Sequence, residues 1–403
     1  MSVRFSVFTP THRPDHLAAA HASLNAQGRS DWEWVLVPNG ARATIPEAIA
    51  RDPRVRVMPA PDGVAAGGVG ALKRYACLRC DGEWLVELDH DDELFPNALA
   101  RIAEAADRAG PAFVYSDFIH LRTDGSCEVF DPAFGWSSYP VDGPRGERWT
   151  AMRAFAPDAS SLHVIHYAPN HVRAWHRDVY ARAGAHDASL PVADDHGLLC
   201  STWLTGAPFV HVPECLYLYR VHADGSNTYV ERNAEVQERQ RELSNRYVYA
   251  LVAEQCRRRG QPMIDLAPAS ARLPGFDAVA NVESIADLRG ALPFDDGEVG
   301  CVRAWSGFER RVDAATGRVD PQLVAAMNEI HRVLAPGGWL LARASSPPAT
   351  LDTFRTFTQR WRADAVPGIA CRFQGTRIWE ESSFAYADLV ALKGQVQPGP
   401  VDI

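Results

Sequence analysis

Residues 82–102 read GEWLVELDHDDELFPNALARI, an apolar run that passes directly into Asp89, His90, Asp91 and Asp92. The segment WLVELD has the length and composition of a buried strand, and ALARIAEAADRAG after it has the spacing of an amphipathic helix. A strand, a polar turn and a helix in that order make half of a βαβ unit. The carboxylates therefore sit where open α/β sheets bind their ligands, outside the carboxyl end of a strand. With one residue between them, Asp89 and Asp91 can converge on one hard cation, magnesium or manganese, and that cation can hold a diphosphate. Acidic residues also favour helix N-termini, so Asp92 and Glu93 are expected to start the helix, with Pro96 at its first turn.

Outward from this stretch, strand-like and helical runs alternate from residue 3 to about 120: VRFSVFT, LAAAHASLNAQ, WEWVLVP, VRVMPAP and GALKRYACLRC. The alternation predicts parallel βαβ units. Two more strands end in turn-forming residues, at Thr9-Pro10-Thr11 and Pro38-Asn39-Gly40. Residues 121–165 are rich in Gly, Pro and aromatics and read as a long surface excursion. Its aromatic residues either stack on a sugar ring or pin the loop down. A second acidic pair, Asp194-Asp195, precedes the helical HGLLCSTWLTG, where it either caps the helix or acts in a site. The segment YLYRVHADGSNT reads as a strand ending at His222 and an Asp-Gly turn.

Residues 231–259 are heavily charged, lack Pro and Gly, and end in an arginine run before Gly260, which predicts a helical connector over 231–260. The first domain is thus expected at 1–230 and a second α/β domain at 261–403, with a frayed tail. Two domains also suit 403 residues of which 46% are hydrophobic. A net charge of -9 argues against a general binder of nucleic acid or anionic membrane. The sequence contains no apolar run long enough for a membrane span, and the reading is a cytoplasmic protein. Eight scattered cysteines fit reduced thiols; Cys77 and Cys80 form the one close pair, for which packing is preferred over a metal or redox role. His90 and His196, beside acidic residues, also raise a metallohydrolase reading, but neither has a partner at ligand spacing.

The first 250 residues resemble an inverting, family-two glycosyltransferase of the GT-A fold, on five ordered segments: FSVFTPTHRP, WEWVLVPNG, ALKRYACLRCDGEWLVELDHDDELFP, AGAHDASLPVADDHGLLCSTWLTG and YRVHADGSNT. The resemblance implies a nucleotide-diphospho-sugar transferase with a Rossmann-like sheet. It implies that Pro10, Thr11 and Asn39 line the base and ribose pocket with Lys73 nearby, and that Asp89 contacts the ribose or the metal. Asp91 and His222 would be further ligands of Mn2+ or Mg2+. Asp195 would be the general base, with Asp194 orienting the acceptor or exchanging roles with it. A UDP-sugar is the favoured donor, although Asn39 stands where many relatives carry an acidic residue. The acceptor would be a glycan, a protein or a small molecule, and a homo-oligomer is compatible with all of this.

Residues 263–341, with ADLRGALPFDDGEVGCVRA and MNEIHRVLAPGG, resemble a class I methyltransferase that uses S-adenosylmethionine. The resemblance implies a smaller Rossmann-like α/β domain with a strand before Asp265 and a turn at Pro336-Gly337-Gly338. The glycine-rich cofactor turn of that family is replaced by Ala267-Pro268-Ala269-Ser270, whose β-carbons and proline ring obstruct backbone approach. Glu309-Arg310 stands where the family often has an acidic-histidine pair, while Asp287 is still able to meet an adenine edge. The expectation is a degenerate domain that lacks the cofactor, with a bifunctional glycosyltransferase-methyltransferase as the alternative. A non-catalytic scaffold is the rival of another class.

Overall fold

The computed structural model describes residues 3–40, 43–65, 68–132, 135–165, 167–267, 270, 272–279, 282, 284–288, 290–308, 319–345 and 351–393. The chain forms two compact units, one of residues 1–132, 136–158 and 165–247, the other of 133–135, 159–164 and 248–403.

The sheet of the first unit is built from β1 (Phe5–Thr11), β2 (Trp32–Pro38), β3 (Val55–Val57), β4 (Trp84–Glu87), β5 (Glu93–Leu94), β6 (Phe113–Arg122), β7 (Cys127–Glu128), β8 (Ser137–Asp142), β9 (Arg148–Arg153), β10 (Arg173–His176) and β11 (Phe209–Val221). Its main order is β3-β2-β1-β4-β10-β6-β11-β5. The first four strands of that order are parallel, as the alternating pattern predicts. β10 then runs antiparallel to both β4 and β6. β1 sits inside this sheet with Phe5, Val7 and Phe8 wholly buried, as a strand covered on both faces is. Its few polar side chains are spent on locking neighbours together. Thr9 Oγ1 donates to Leu88 O at 2.6 Å, Trp34 Nε1 donates to Thr9 Oγ1 at 2.8 Å, and Ser6 Oγ donates to Glu33 at 2.5 Å. The Thr9–Leu88 bond ties the carboxyl ends of β1 and β4 together, where the ligand side is expected, and the other two bonds fix β1 against β2 further back.

Two expectations need correction. Residues 121–165 are not one irregular excursion: they hold the end of β6, β7, the β8–β9 hairpin and a helix, Ala159–Val164. Ala151, Met152, Ala159 and Leu162 are fully buried, and residues 159–164 belong to the second unit. Trp136 is buried between Phe130, Phe155 and Tyr167, with ring centroids 4.7–5.9 Å away, so it anchors the segment. Asp92 and Glu93 do not start a helix either. The helix runs Ala98–Ala109 after Asn97, and Pro96 precedes it. Glu93 lies in β5 and pairs with Arg220 at 2.6 Å. Asp92 is buried and accepts the Tyr217 hydroxyl and the Arg220 amide, both at 2.8 Å. Satisfying β11 outweighs helix-start electrostatics here, because a buried carboxylate needs partners.

The helix Asn233–Arg259 ends in the arginine run, with Gly260 at φ 63°; the division between the units falls inside it, after Tyr247. In the second unit, β12 (Met263–Leu266), β13 (Asp277–Ala278), β14 (Val299–Ala304), β15 (Leu334–Ser345), β16 (Phe373–Glu381) and β17 (Phe384–Ala391) form a sheet in the order β13-β12-β14-β15-β17-β16. β12 to β15 are parallel, and β17 is antiparallel to its neighbours. Pro336-Gly337-Gly338 lies at the start of β15, directly after the helix Pro321–Val333, with Gly337 at φ 70°. Asp265 and Arg303 face each other across β12 and β14 at 2.5 Å, both fully buried. Of the cofactor-turn residues, Pro268 and Ala269 lie outside the described residues, as do Glu309 and Arg310. Asp287 ends a short 3-10 turn, Ile285–Asp287.

Candidate active site

A cleft of about 660 Å³ opens over the carboxyl ends of β1, β2 and β4 in the first unit. Pro10, Thr11, Asn39, Lys73, Asp89, Asp91, Asp194 and Asp195 all line it. Residues separated by up to 185 positions are therefore brought to one wall system by the fold. β1 delivers Pro10 and Thr11, and the Asn39 amide donates to Thr11 O at 2.7 Å, which draws the end of β2 alongside.

Asp89 and Asp91 follow β4. The Asp89 amide donates to the Tyr217 hydroxyl at 3.1 Å, and His171 Nε2 lies 3.9 Å from Asp89 Oδ2. His222, one residue past β11, places Nε2 2.6 Å from Asp91 Oδ2. Burial opposes ionisation of Asp91, but the His222 hydrogen bond and the His90 and His222 rings bring its carboxyl down to about 2. Asp91 is thus held as an anion beside an imidazole, and oxygen with nitrogen ligands suits a divalent cation. Among the described residues, no three His, Cys, Asp or Glu side chains converge as a preformed metal group. A hard cation at Asp91 would complete its shell with diphosphate oxygens and water, which is how Mg2+ is commonly held at one or two carboxylates. Of the two histidines that raise a metallohydrolase reading, His90 stands edge-on to His12 at 4.8 Å and His196 is wholly buried in its helix.

The acidic pair opens the helix Asp194–Leu204, whose preceding residue Ala193 is left-handed at φ 55° and makes no side-chain cap. Leu190, Ala193, Leu243 and Tyr247 pack together beneath this turn. Gly70, in the helix Val69–Cys77, lets it come close: a Cβ there would lie 2.5 Å from Asp187 O and 2.7 Å from Leu190 O. The two carboxylates have different surroundings. The Asp194 side chain is 3% exposed and the Asp195 side chain 25%. Burial, with Asp195 and Glu87 nearby, pushes Asp194 up to about 7 despite Lys73 Nζ at 3.9 Å. Asp195 Oδ2 instead pairs with Arg173 at 2.6 Å, and although burial opposes it, Arg173 and Lys73 hold its carboxyl well below the ordinary range.

Sequence reasoning missed two charges at the cleft, Glu87 and Arg173. Glu87 is buried at the end of β4, where Lys73 Nζ donates to it and Arg173 Nη1 lies 3.4 Å away. Burial opposes its charge, yet Lys73 and Arg173 keep it well below its ordinary value. Lys73, expected beside the nucleotide, is therefore only 7% exposed and committed to Glu87. The available signal was Glu87 itself, a charge inside the apolar run WLVEL. Cys77 and Cys80 are buried, and burial raises both thiols.

Residues 6–180 match the family model described as Glycosyl transferase family 2. The first unit carries a glycosyl transferase family 2 domain. The chain is also similar to the O-antigen biosynthesis protein RfbC of Myxococcus xanthus, at 28% identity over 240 residues, 57% of this chain and 16% of that protein. The succinoglycan biosynthesis protein ExoO of Rhizobium meliloti (strain 1021) is 31% identical over 127 residues, 30% of this chain and 34% of the relative. The chain thus spans about a sixth and a third of the curated relatives it matches. Among solved structures, S. aureus TarS 1-349 in complex with UDP-GlcNAc is similar with a TM-score of 0.44 at 14% identity, over 63% of this chain and 73% of that one. The complex of TarS 1-349 with UDP has a TM-score of 0.41 at 16% identity, over 54% and 61%. No helix among the described residues is long and apolar enough to cross a membrane.

Proposed function

We propose that the family 2 domain moves a glycosyl group from a nucleoside-diphosphate sugar to an acceptor hydroxyl, with inversion and with a divalent cation. The observation that supports this most is the single cleft lined by Pro10, Thr11, Asn39, Asp89, Asp91, Asp194 and Asp195. Pro10, Thr11 and Asn39 offer a wall for base and ribose, and Asp89 reaches toward the ribose or the cation. Asp91, Asp89 and His222 are the residues that would hold Mn2+ or Mg2+. When bound, such an ion stabilises negative charge on the departing diphosphate.

The remaining chemistry belongs to the chain. The acceptor oxygen attacks the anomeric carbon and forms the new C–O bond as the bond to the β-phosphate oxygen breaks. The bonding pair leaves with the nucleoside diphosphate, and the hydroxyl proton passes to Asp195, which Arg173 keeps ionised. A base on the face opposite the leaving group gives inversion. Asp194, more deeply buried, orients the acceptor or exchanges roles with Asp195. A panel of nucleotide-sugars, UDP-sugars first, with manganese tests the reading: release of nucleoside diphosphate from at least one donor is expected, and none from any donor contradicts it.

The second unit is proposed as a methyltransferase-like domain that does not take S-adenosylmethionine. The observation favouring this is Asp265 on β12, which is fully buried with its Oδ2 committed to Arg303 at 2.5 Å. Calorimetric titration with S-adenosylmethionine is expected to show no binding, and micromolar affinity would restore the bifunctional alternative.

A further inference from the structure

Along the cleft wall, five ionisable side chains form a ladder: Asp194, Lys73, Glu87, Arg173 and Asp195, all but Glu87 lining the cleft itself. Lys73 Nζ is 3.9 Å from Asp194 Oδ2 and donates to Glu87 Oε1, while Arg173 Nη1 is 3.4 Å from Glu87 Oε2 and 2.6 Å from Asp195 Oδ2. Both end carboxylates line the cleft, but they differ in exposure: Arg173 reaches Asp195, whose side chain is 25% exposed, and Lys73 lies near Asp194, whose side chain is 3% exposed.

We infer that Arg173, backed by Glu87, is the positioning residue that sets Asp195 in the cleft. The sheet places it there. Arg173 opens β10 and is in direct register with Glu87 on β4 and Tyr115 on β6, so its origin is fixed between two neighbouring strands. Its Nε donates to Pro169 O at 3.3 Å, and its side chain is 2% exposed. Asp195 has no comparable anchorage of its own. It sits in the first turn of a helix whose start makes no side-chain cap, and its other oxygen accepts the amide of the next residue, His196, at 2.8 Å. A charge-assisted bond from a buried guanidinium is the strongest restraint on its rotamer. A lysine could replace the charge but not the fork that spans Pro169, Glu87 and Asp195. Arg173 lines the cleft, and on this inference it acts through Asp195 rather than on donor or acceptor.

The inference rests on the proposed glycosyl transfer, and the test separates the two. In the full chain, donor hydrolysis with manganese is measured for the parent, Arg173→Ala and Arg173→Lys, with folding checked by circular dichroism. Arg173→Ala is expected to lower kcat roughly 100-fold, as a misplaced catalytic group does, with donor KM unchanged. Millimolar guanidinium, entering the space left in the cleft wall, is expected to restore part of kcat in Arg173→Ala and to do nothing for the parent. A wholly structural ion pair would show neither the kcat-only loss nor the rescue, and either absence overturns the inference. If Arg173→Ala does not fold, Arg173→Lys decides: a fall in kcat of roughly 10-fold or more at constant KM supports it, and full kcat overturns it. A parent that hydrolyses no donor refutes the transferase reading and this inference with it, whereas an active parent with unaltered variants refutes this inference alone.

Discussion

His222 Nε2 lies 2.6 Å from Asp91 Oδ2, although 131 positions separate the two residues in the chain. The contact joins the turn after β4 to the end of β11, and the buried Asp92 reinforces it by accepting the Arg220 amide. If this edge holds a cation with the donor diphosphate, His222→Ala removes one ligand and leaves the carboxylate. The manganese concentration for half-maximal donor turnover is then expected to rise about 10- to 100-fold, in the range typical of altered metal sites. An unchanged manganese titration would exclude His222 from cation binding.

Asp194 makes stability depend on pH. Its folded-state value, pushed up to about 7 by burial and by the neighbouring carboxylates, lies above its unfolded value near about 4. The native state therefore binds the extra proton between those values, and the contribution present below about pH 4 is lost as pH rises toward about 7. Asp194→Asn is expected to leave stability at pH 4 little changed and to raise it at pH 8, by at most about 4 kcal/mol. Thermal melts of both proteins across that interval check it; parallel melting curves at all pH values would contradict the account.

Gly70 transmits packing to the acidic pair. A Cβ at this position would meet the Asp187 and Leu190 carbonyl oxygens at 2.5 and 2.7 Å and the Asp194 Cβ at 3.0 Å. Backbone must move to relieve such contacts, so Gly70→Ala is expected to cost about 1–3 kcal/mol, as overpacking does. It is also expected to lower kcat for donor turnover more than the manganese requirement, since the displaced loop carries Asp194 and Asp195 rather than Asp91. Urea denaturation and steady-state kinetics on the same preparation measure both effects.

Much of this site is legible in the residues themselves. Apolar runs that stop at Thr11, Asn39 and Asp89 place three strand ends together, because parallel strands joined by helices must share one ligand-bearing edge. The role of Asp92 is not legible locally, because it depends on Tyr217 and the Arg220 amide, partners 125 and 128 positions away. Arg173 carries no local pattern at all in NHVRAWH; its meaning comes from lying opposite Glu87 on an antiparallel strand inserted between β4 and β6. The hairpin within residues 121–165 was hidden for a similar reason. Its strands β8 and β9 are short and half exposed, so period-two alternation is weak beside the Gly and Pro signals that surround it.

On the proposed function, Asp91 serves a nucleoside-diphosphate sugar in this cleft. The most direct measurement is nucleoside-diphosphate release from a nucleotide-sugar panel with manganese, run on the parent and on Asp91→Ala. Turnover of a donor by the parent and its loss by roughly 100-fold or more in a folded Asp91→Ala are expected, as for removal of an electrostatic contributor to the leaving group. Turnover by Asp91→Ala equal to the parent's, or none by the parent with any donor, would contradict the account.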